Sequence, residues 1–90
     1  MSTLVVESVP RAVEVRCDED ELVVQLTDGR TLSVPLVWFP RLAAAKPEER
    51  GRYQLIGEGE GIHWLGVDED ISVAGLLAGR ASAEYLRSRG

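Results

Sequence analysis

Hydrophobic and polar residues alternate with a period of two in three short runs of the first third of the chain. In AVEVRC, Val13 and Val15 share a face; in ELVVQL, Leu22, Val24 and Leu26 align; in TLSV, Leu32 and Val34 do the same. Successive side chains of a strand point to opposite faces, so this period predicts half-buried strands. The acid run Asp18–Glu21 between the first two reads as a turn or a solvated edge. TDGR marks a hairpin, and its register follows from the apolar pattern. A two-residue loop, Asp28-Gly29, would pair Leu26 with Thr31 and Val24 with Ser33, sending the apolar residues of the two strands to opposite faces. A three-residue loop, Thr27-Asp28-Gly29, pairs Leu26 with Arg30, Val24 with Leu32 and Leu22 with Val34. A slip of one residue would turn that whole set to water. The sequence therefore predicts a type I turn closed by Gly29 as a left-handed bulge residue.

The period breaks in PLVWFPRLAAAKPEERGRY. Pro35 and Pro40 forbid a central strand there. Pro40 suits the first turn of a helix continued by RLAAA, and Pro47 opens a second short turn, PEER, that stops at Gly51. YQLIGE is the expected fourth strand and GIHW the fifth, with Gly57, Gly59 and Gly61 at the join. In GIHW, Ile62 and Trp64 share a face and His63 points the other way. GVDED then reads as a turn, Ser72 as the N-cap of VAGLLA, and Gly79 as its C-terminal glycine. A last helix, ASAEYLRSR, places a C-terminal helix within residues 80–90. Residues 1–10 end in Pro10 and read as a frayed terminus or an edge strand. The expected fold is α+β, an antiparallel sheet of four to five strands with short helices packed on one side. Its expected core is Val13, Val15, Leu22, Val24, Leu26, Leu32, Val34, Leu36, Phe39, Leu42, Leu55, Ile62, Trp64, Ile71, Leu76 and Leu77.

Ninety residues make one domain, 1–90, with a thin core. Fifteen acids against ten bases give a net charge of −5, which disfavours a phosphate-tracking surface. The single cysteine, Cys17, excludes an internal disulfide framework. The opening residues carry no charged start or long apolar run, so no signal peptide is read, and no stretch approaches a membrane-spanning length. A cytoplasmic location is the expectation. The apolar segment TLVVESV can add an edge strand to its own sheet or to a neighbour's, which leaves a homodimer open.

The conspicuous chemistry lies in GIHWLGVDED. His63 beside acids has the composition of a general base with an orienting partner, but the alternation places it on the outer face of a strand, and a surface role is preferred. Asp68, Glu69 and Asp70 lack the alternate-position acids, glycine and distal glutamate of a calcium loop. They are read as negative charge at the start of the following helix. Cys17 has no feature that lowers its pKa, and its acidic neighbours raise it. Zinc needs several Cys or His ligands, and this chain has two such residues. GEGEG lacks the strand–loop–helix setting of a nucleotide site. Trp38, Phe39 and Trp64 are read as core anchors, with exposure of one of them at an interface as the alternative. No cofactor, metal or catalytic residue is expected.

LTDGRTLSVPL, FPRL, AKPEER and above all GIHW followed by DEDISVAGLL resemble the bacterial domain of unknown function family 2442. The match covers roughly residues 11 to 79. It departs at Leu65, where the resemblance leads one to expect proline. The resemblance implies a small α+β domain with an antiparallel sheet and no established enzymatic activity. Some relatives add a helix-turn-helix domain, for which 90 residues leave no room. Short members sit beside a second small domain in arrangements like toxin–antitoxin pairs. The resemblance thus makes this chain a candidate antitoxin or partner-binding component, with His63, Trp64, Asp68, Asp70, Trp38 and Arg41 as the motif residues of an interaction site. The expected partner is a small protein, and the acidic balance fits a basic one. Two other readings stay open. One is a small-molecule or metal-binding domain using His63 and the acids Asp68 to Asp70. The other is a nucleic-acid-linked regulator, which needs Arg41, Arg50 and Arg52 to converge with Arg80.

Overall fold

The computed structural model describes residues 9–89. Its strands are β1 (Ala12–Cys17), β2 (Glu21–Leu26), β3 (Thr31–Pro35), β4 (Tyr53–Ile56), β5 (Gly61–Trp64) and β6 (Glu69–Ser72). The helices are α1 (Pro40–Ala43), α2 (Pro47–Arg50), α3 (Val73–Leu77) and α4 (Ala83–Arg89). Single 3-10 turns cover Leu36–Trp38 and Gly57–Gly59. Residues 1–8 lie outside the described residues, and with them most of the segment read as a frayed terminus or edge strand. Among the described residues no helix is long and apolar enough to cross a membrane.

The α+β class and the antiparallel pairing are as expected, but the single sheet of four to five strands is not. There are two three-stranded sheets, ordered β1-β2-β3 and β4-β5-β6. Every strand-to-strand link within each sheet is a short local hairpin. The one long connection, residues 36–52, is turned into helix and 3-10 turn by Pro35, Pro40 and Pro47. That connection carries β4 away from the edge of β3, and the second meander forms a separate sheet.

The first hairpin adopts the expected register. Val24 pairs with Leu32 and Leu22 with Val34. The Leu26 N–H donates to the Arg30 carbonyl, the Gly29 N–H donates back to the Leu26 carbonyl, and Gly29 has φ +92°. The Asp18 carboxylate accepts the N–H groups of Asp20 and Glu21, which shapes the acid run into a tight turn and holds this carboxyl below the usual range.

Val13 is a correction to the expected core. A register shift between Ala12 and Glu14 leaves Val13 as the extra residue of a bulge. Ala12 and Val15 then face inward, and Val13 is 55% exposed. Val23 and Val73 are also buried, beyond the residues marked by the alternation. Leu32, Leu55 and Leu77 are only half-buried against the core. The remaining expected positions are buried, and residues from both sheets and from α1 and α3 form one hydrophobic cluster.

Three of the contacts that join the sheets run through Tyr53, through Trp64 with Arg50, and through Gly59. The Tyr53 hydroxyl of β4 accepts the Val15 N–H of β1 at 3.3 Å. The Trp64 indole N–H donates to the Arg50 carbonyl at 3.0 Å, while Arg50 Nη1 donates to the Asp18 carbonyl at 3.3 Å. Third, Gly59 brings its backbone so close to β1 that a Cβ there would overlap the Ala12 carbonyl oxygen. This glycine also has φ +103°.

Gly29 and Gly59, both left-handed, separate strain from steric exclusion. Nothing lies within 4 Å of a Cβ added at Gly29. Gly29→Ala is therefore expected to cost about 1–2 kcal/mol of backbone strain alone. Gly59→Ala adds overpacking against β1 and should cost about 3–5 kcal/mol. Urea denaturation of the two variants measures the difference, and equal midpoints would refute the close joint at Gly59.

Candidate functional site

The β5–β6 hairpin and α1 carry most of the motif residues. Direct cross-strand pairs set three rows: Tyr53–Trp64–Glu69, Gln54–His63–Asp70 and Leu55–Ile62–Ile71. The first and third rows face the core, and the second faces out. Trp64 and Ile62 are fully buried. His63 and Asp70 stand side by side on the outer face, with Nδ1 and Oδ1 2.5 Å apart and the aspartate largely exposed.

The acid run does not sit at a helix N-terminus, as the sequence suggested. Pairing with β5 draws Glu69–Ser72 into a sixth strand, so GVDED is turn only as far as Asp68. Ser72 ends that strand and caps α3, its hydroxyl accepting the Gly75 N–H at 2.9 Å. Gly79 closes the same segment with φ +75°. Strand alternation then sends the three acids to three places. Asp68 lies in the turn and meets Arg41. Glu69 points toward the inner row, half-buried. Asp70 points out to His63.

Arg41, in the first turn of α1, clamps two distant segments. Its Nη1 donates to the Asp68 carbonyl at 3.1 Å and to Asp68 Oδ2 at 3.2 Å, and its Nε donates to Glu84 Oε1 of α4 at 3.0 Å. Partial burial pushes the Glu69 carboxyl above its ordinary 4.5; the Arg41 charge opposes the shift, and Glu84, Asp70 and Asp68 reinforce it.

The six motif residues thus occupy separate places. His63 meets Asp70 and Arg41 meets Asp68, but Trp64 lies under the sheet against Arg50. Trp38 is half-buried at the approach of α4, where its carbonyl accepts the Ser82 N–H at 3.0 Å. The alternative of an exposed aromatic applies to neither Phe39 nor Trp64, which are buried. Two participants, Tyr53 and Glu84, were not marked by sequence, and Arg50 was marked only as part of a cationic face. Arg50, at the end of the short turn PEER, is only 8% exposed. Its arginine backbone and side chain link β5 to the Asp18 turn across long sequence distance, for which the local pattern carries no signal. Cys17 is half-buried, and burial raises its thiol pKa to about 11; Arg50 pulls it down and Asp18 pushes it up. Among the described residues no group of three or more His, Cys, Asp or Glu side chains could hold a metal ion.

With this geometry described, comparisons place the chain among similar proteins. A family model described as protein of unknown function (DUF2442) matches residues 12–82. The fold is similar to a crystal structure of a protein of unknown function from Rhodospirillum rubrum ATCC 11170. That protein is 31% identical with a TM-score of 0.72, and the match covers 83% of this chain and 93% of that one. A second similar fold is the solution NMR structure of an uncharacterised protein from Chromobacterium violaceum. It is 27% identical with a TM-score of 0.69, over 88% of this chain and 75% of that one. Comparison with curated proteins gives no match.

Two expectations follow from the shifted groups. A carboxyl whose folded pKa is raised supports the fold only while protonated; its contribution is complete below the unfolded value and is lost as pH rises through the folded one. Glu69→Gln should therefore raise the thermal unfolding midpoint near pH 7 and lose that advantage near pH 4. A lower midpoint for the variant near pH 7 would contradict the desolvation of Glu69. For Cys17, the raised pKa leaves little thiolate near pH 8, and iodoacetamide should alkylate the folded protein at least about tenfold more slowly than the urea-unfolded chain. Equal rates would show that the thiol is not shielded.

Proposed function

Because the chain belongs to the DUF2442 family of proteins of unknown function, we propose that it acts as a non-enzymatic interaction module, the partner-binding or antitoxin-like component of a two-protein pair. The observation that supports this reading is the use the fold makes of the motif. Trp64 fills the core and bonds to Arg50, Arg41 ties the Asp68 turn to α4, and Ser72 caps α3. Each has a duty in holding a surface in shape. A rigid scaffold presenting exposed side chains is what recognition by surface complementarity requires. The net charge of −5 favours encounter with a basic protein.

A second reading has one observation in its favour. The Asp70 carboxylate at Nδ1 of His63 orients the imidazole and leaves Nε2 directed elsewhere, the arrangement seen behind metal-bound histidines. Of the three acids, however, Asp70 is the one that meets His63. The nucleic-acid reading is weakened by the arginines themselves. Arg41 is held by two carboxylates and Arg50 is buried against Asp18, so neither offers a free cation to phosphate.

Co-expression with the protein encoded beside it is expected to give one complex that co-elutes in size-exclusion chromatography. His63→Ala and Asp70→Asn should leave that complex intact, and zinc should not shift the unfolding temperature of the parent. Separate elution of the two proteins overturns the module reading. A zinc-dependent shift abolished by His63→Ala would install the metal-binding reading in its place.

A further inference from the structure

We infer that the groove between the 3-10 turn 36–38 and α4 is a docking surface for an acidic, amphipathic helical segment of a partner protein. The inference rests on the interaction-module reading and goes beyond it by naming the surface and the chemistry of its occupant.

The groove has a volume of about 330 Å³ and is lined by Trp38, Gly79, Arg80, Ala81, Tyr85 and Leu86. Trp38 and Tyr85 each keep part of their side chain at the surface. Leu86 is 55% exposed, and Val37, on the turn against which α4 packs, is 55% exposed as well. Large apolar side chains gathered at one place on a small domain mark a binding surface more often than the same residues scattered singly. Tryptophan, tyrosine and arginine are also the residue types that dominate binding energy at protein interfaces.

The charge around the groove selects the occupant. The whole chain carries −5, yet the one charged residue lining the groove among the described residues is Arg80, which is exposed and forms no ion pair among them. Glu84, the acid of α4, is engaged by Arg41. The charge at the groove is therefore positive on a protein whose net charge is negative. A short apolar groove of this kind takes a few side chains spaced by one helical turn, and a helix offers them at i, i+3 and i+4. Acids flanking those anchors would meet Arg80, whereas lysines would be repelled. Long-range attraction of a basic protein and local capture of an acidic segment of it are compatible, because the first acts over the whole surface and the second within a few ångströms.

The probe is a labelled synthetic helix with leucines at i, i+3, i+4 and i+7 and glutamates elsewhere, followed by fluorescence anisotropy, with a lysine-for-glutamate version as control. The parent protein should bind the acidic peptide saturably and the basic one not at all. Leu86→Asp, at an exposed position where folding is not at risk, should weaken binding by at least about tenfold. Arg80→Glu should reverse the preference toward the lysine peptide, a gain that misfolding cannot produce. Absent binding, equal binding of both peptides, or indifference to Leu86→Asp overturns the assignment. So does a concentration-dependent dimer that Leu86→Asp dissolves, since it would seat a second copy of this chain in the groove. A co-expressed complex that survives Leu86→Asp removes this docking surface and leaves the module reading standing. Failure of the parent to form any such complex counts against that reading instead, while the peptide titration still decides the groove.

Discussion

Two three-stranded sheets of four to six residues per strand have to share one core, because neither buries enough apolar surface to stand by itself. Trp64 sits at the centre of that constraint. It is fully buried on the inner face of the second sheet, and its indole N–H needs an acceptor once water is gone. The Arg50 carbonyl supplies it, and the Arg50 side chain continues to the Asp18 turn of the first sheet. The arrangement carries a burden of its own. Arg50 is a nearly buried cation whose Nε finds no acceptor among the described residues, which works against stability. What it returns is a fixed relation between the sheets, reinforced where Gly59 meets Ala12 and where Tyr53 reaches β1.

The same joint determines what the surface can present. Because the inner row is filled by Trp64, Ile62 and Ile71, strand alternation forces His63 and Asp70 outward together, and their pairing is a consequence of register. Arg41 is exposed, and exposed ion pairs contribute little to global stability. Its value is geometric: it links the Asp68 turn to α4, the short helix that also carries the exposed Leu86. The motif that draws the eye in the sequence is thus largely taken up in holding the fold, while the groove proposed above as a docking surface is lined by Trp38 and by the less conspicuous Arg80, Tyr85 and Leu86.

Much of this organisation was legible in the residues themselves wherever the physics is local. The loop Thr27-Asp28-Gly29 follows from turn chemistry plus a two-residue period, and it sets which faces of β2 and β3 meet. Ser72 and Gly79 bracket α3 because a hydroxyl at an N-cap and a glycine past a helix end act within one turn of the chain. Ile62 and Trp64 inward with His63 outward follows from alternation alone. The class, antiparallel sheet with short helices, comes from the same signals.

What the local pattern did not hold was decided by contacts between distant segments. Val13 looks like a core residue by period, and a bulge between Ala12 and Glu14 turns it to solvent. Asp68 to Asp70 look like one charged cluster before a helix. Pairing with β5 makes two of them strand residues and scatters the three among Arg41, the half-buried row and His63. Arg50 looks solvated, and the demand of a buried indole fixes it inside. Partition into two sheets instead of one is likewise unavailable to a reading along the chain, since both arrangements share the same strands and the same hairpins. By itself the sequence determined the strands, their facing and their caps, through forces that reach a few residues. Only the tertiary structure decided which edges meet and which charges find partners, since those energies depend on atoms that folding alone brings within bonding distance.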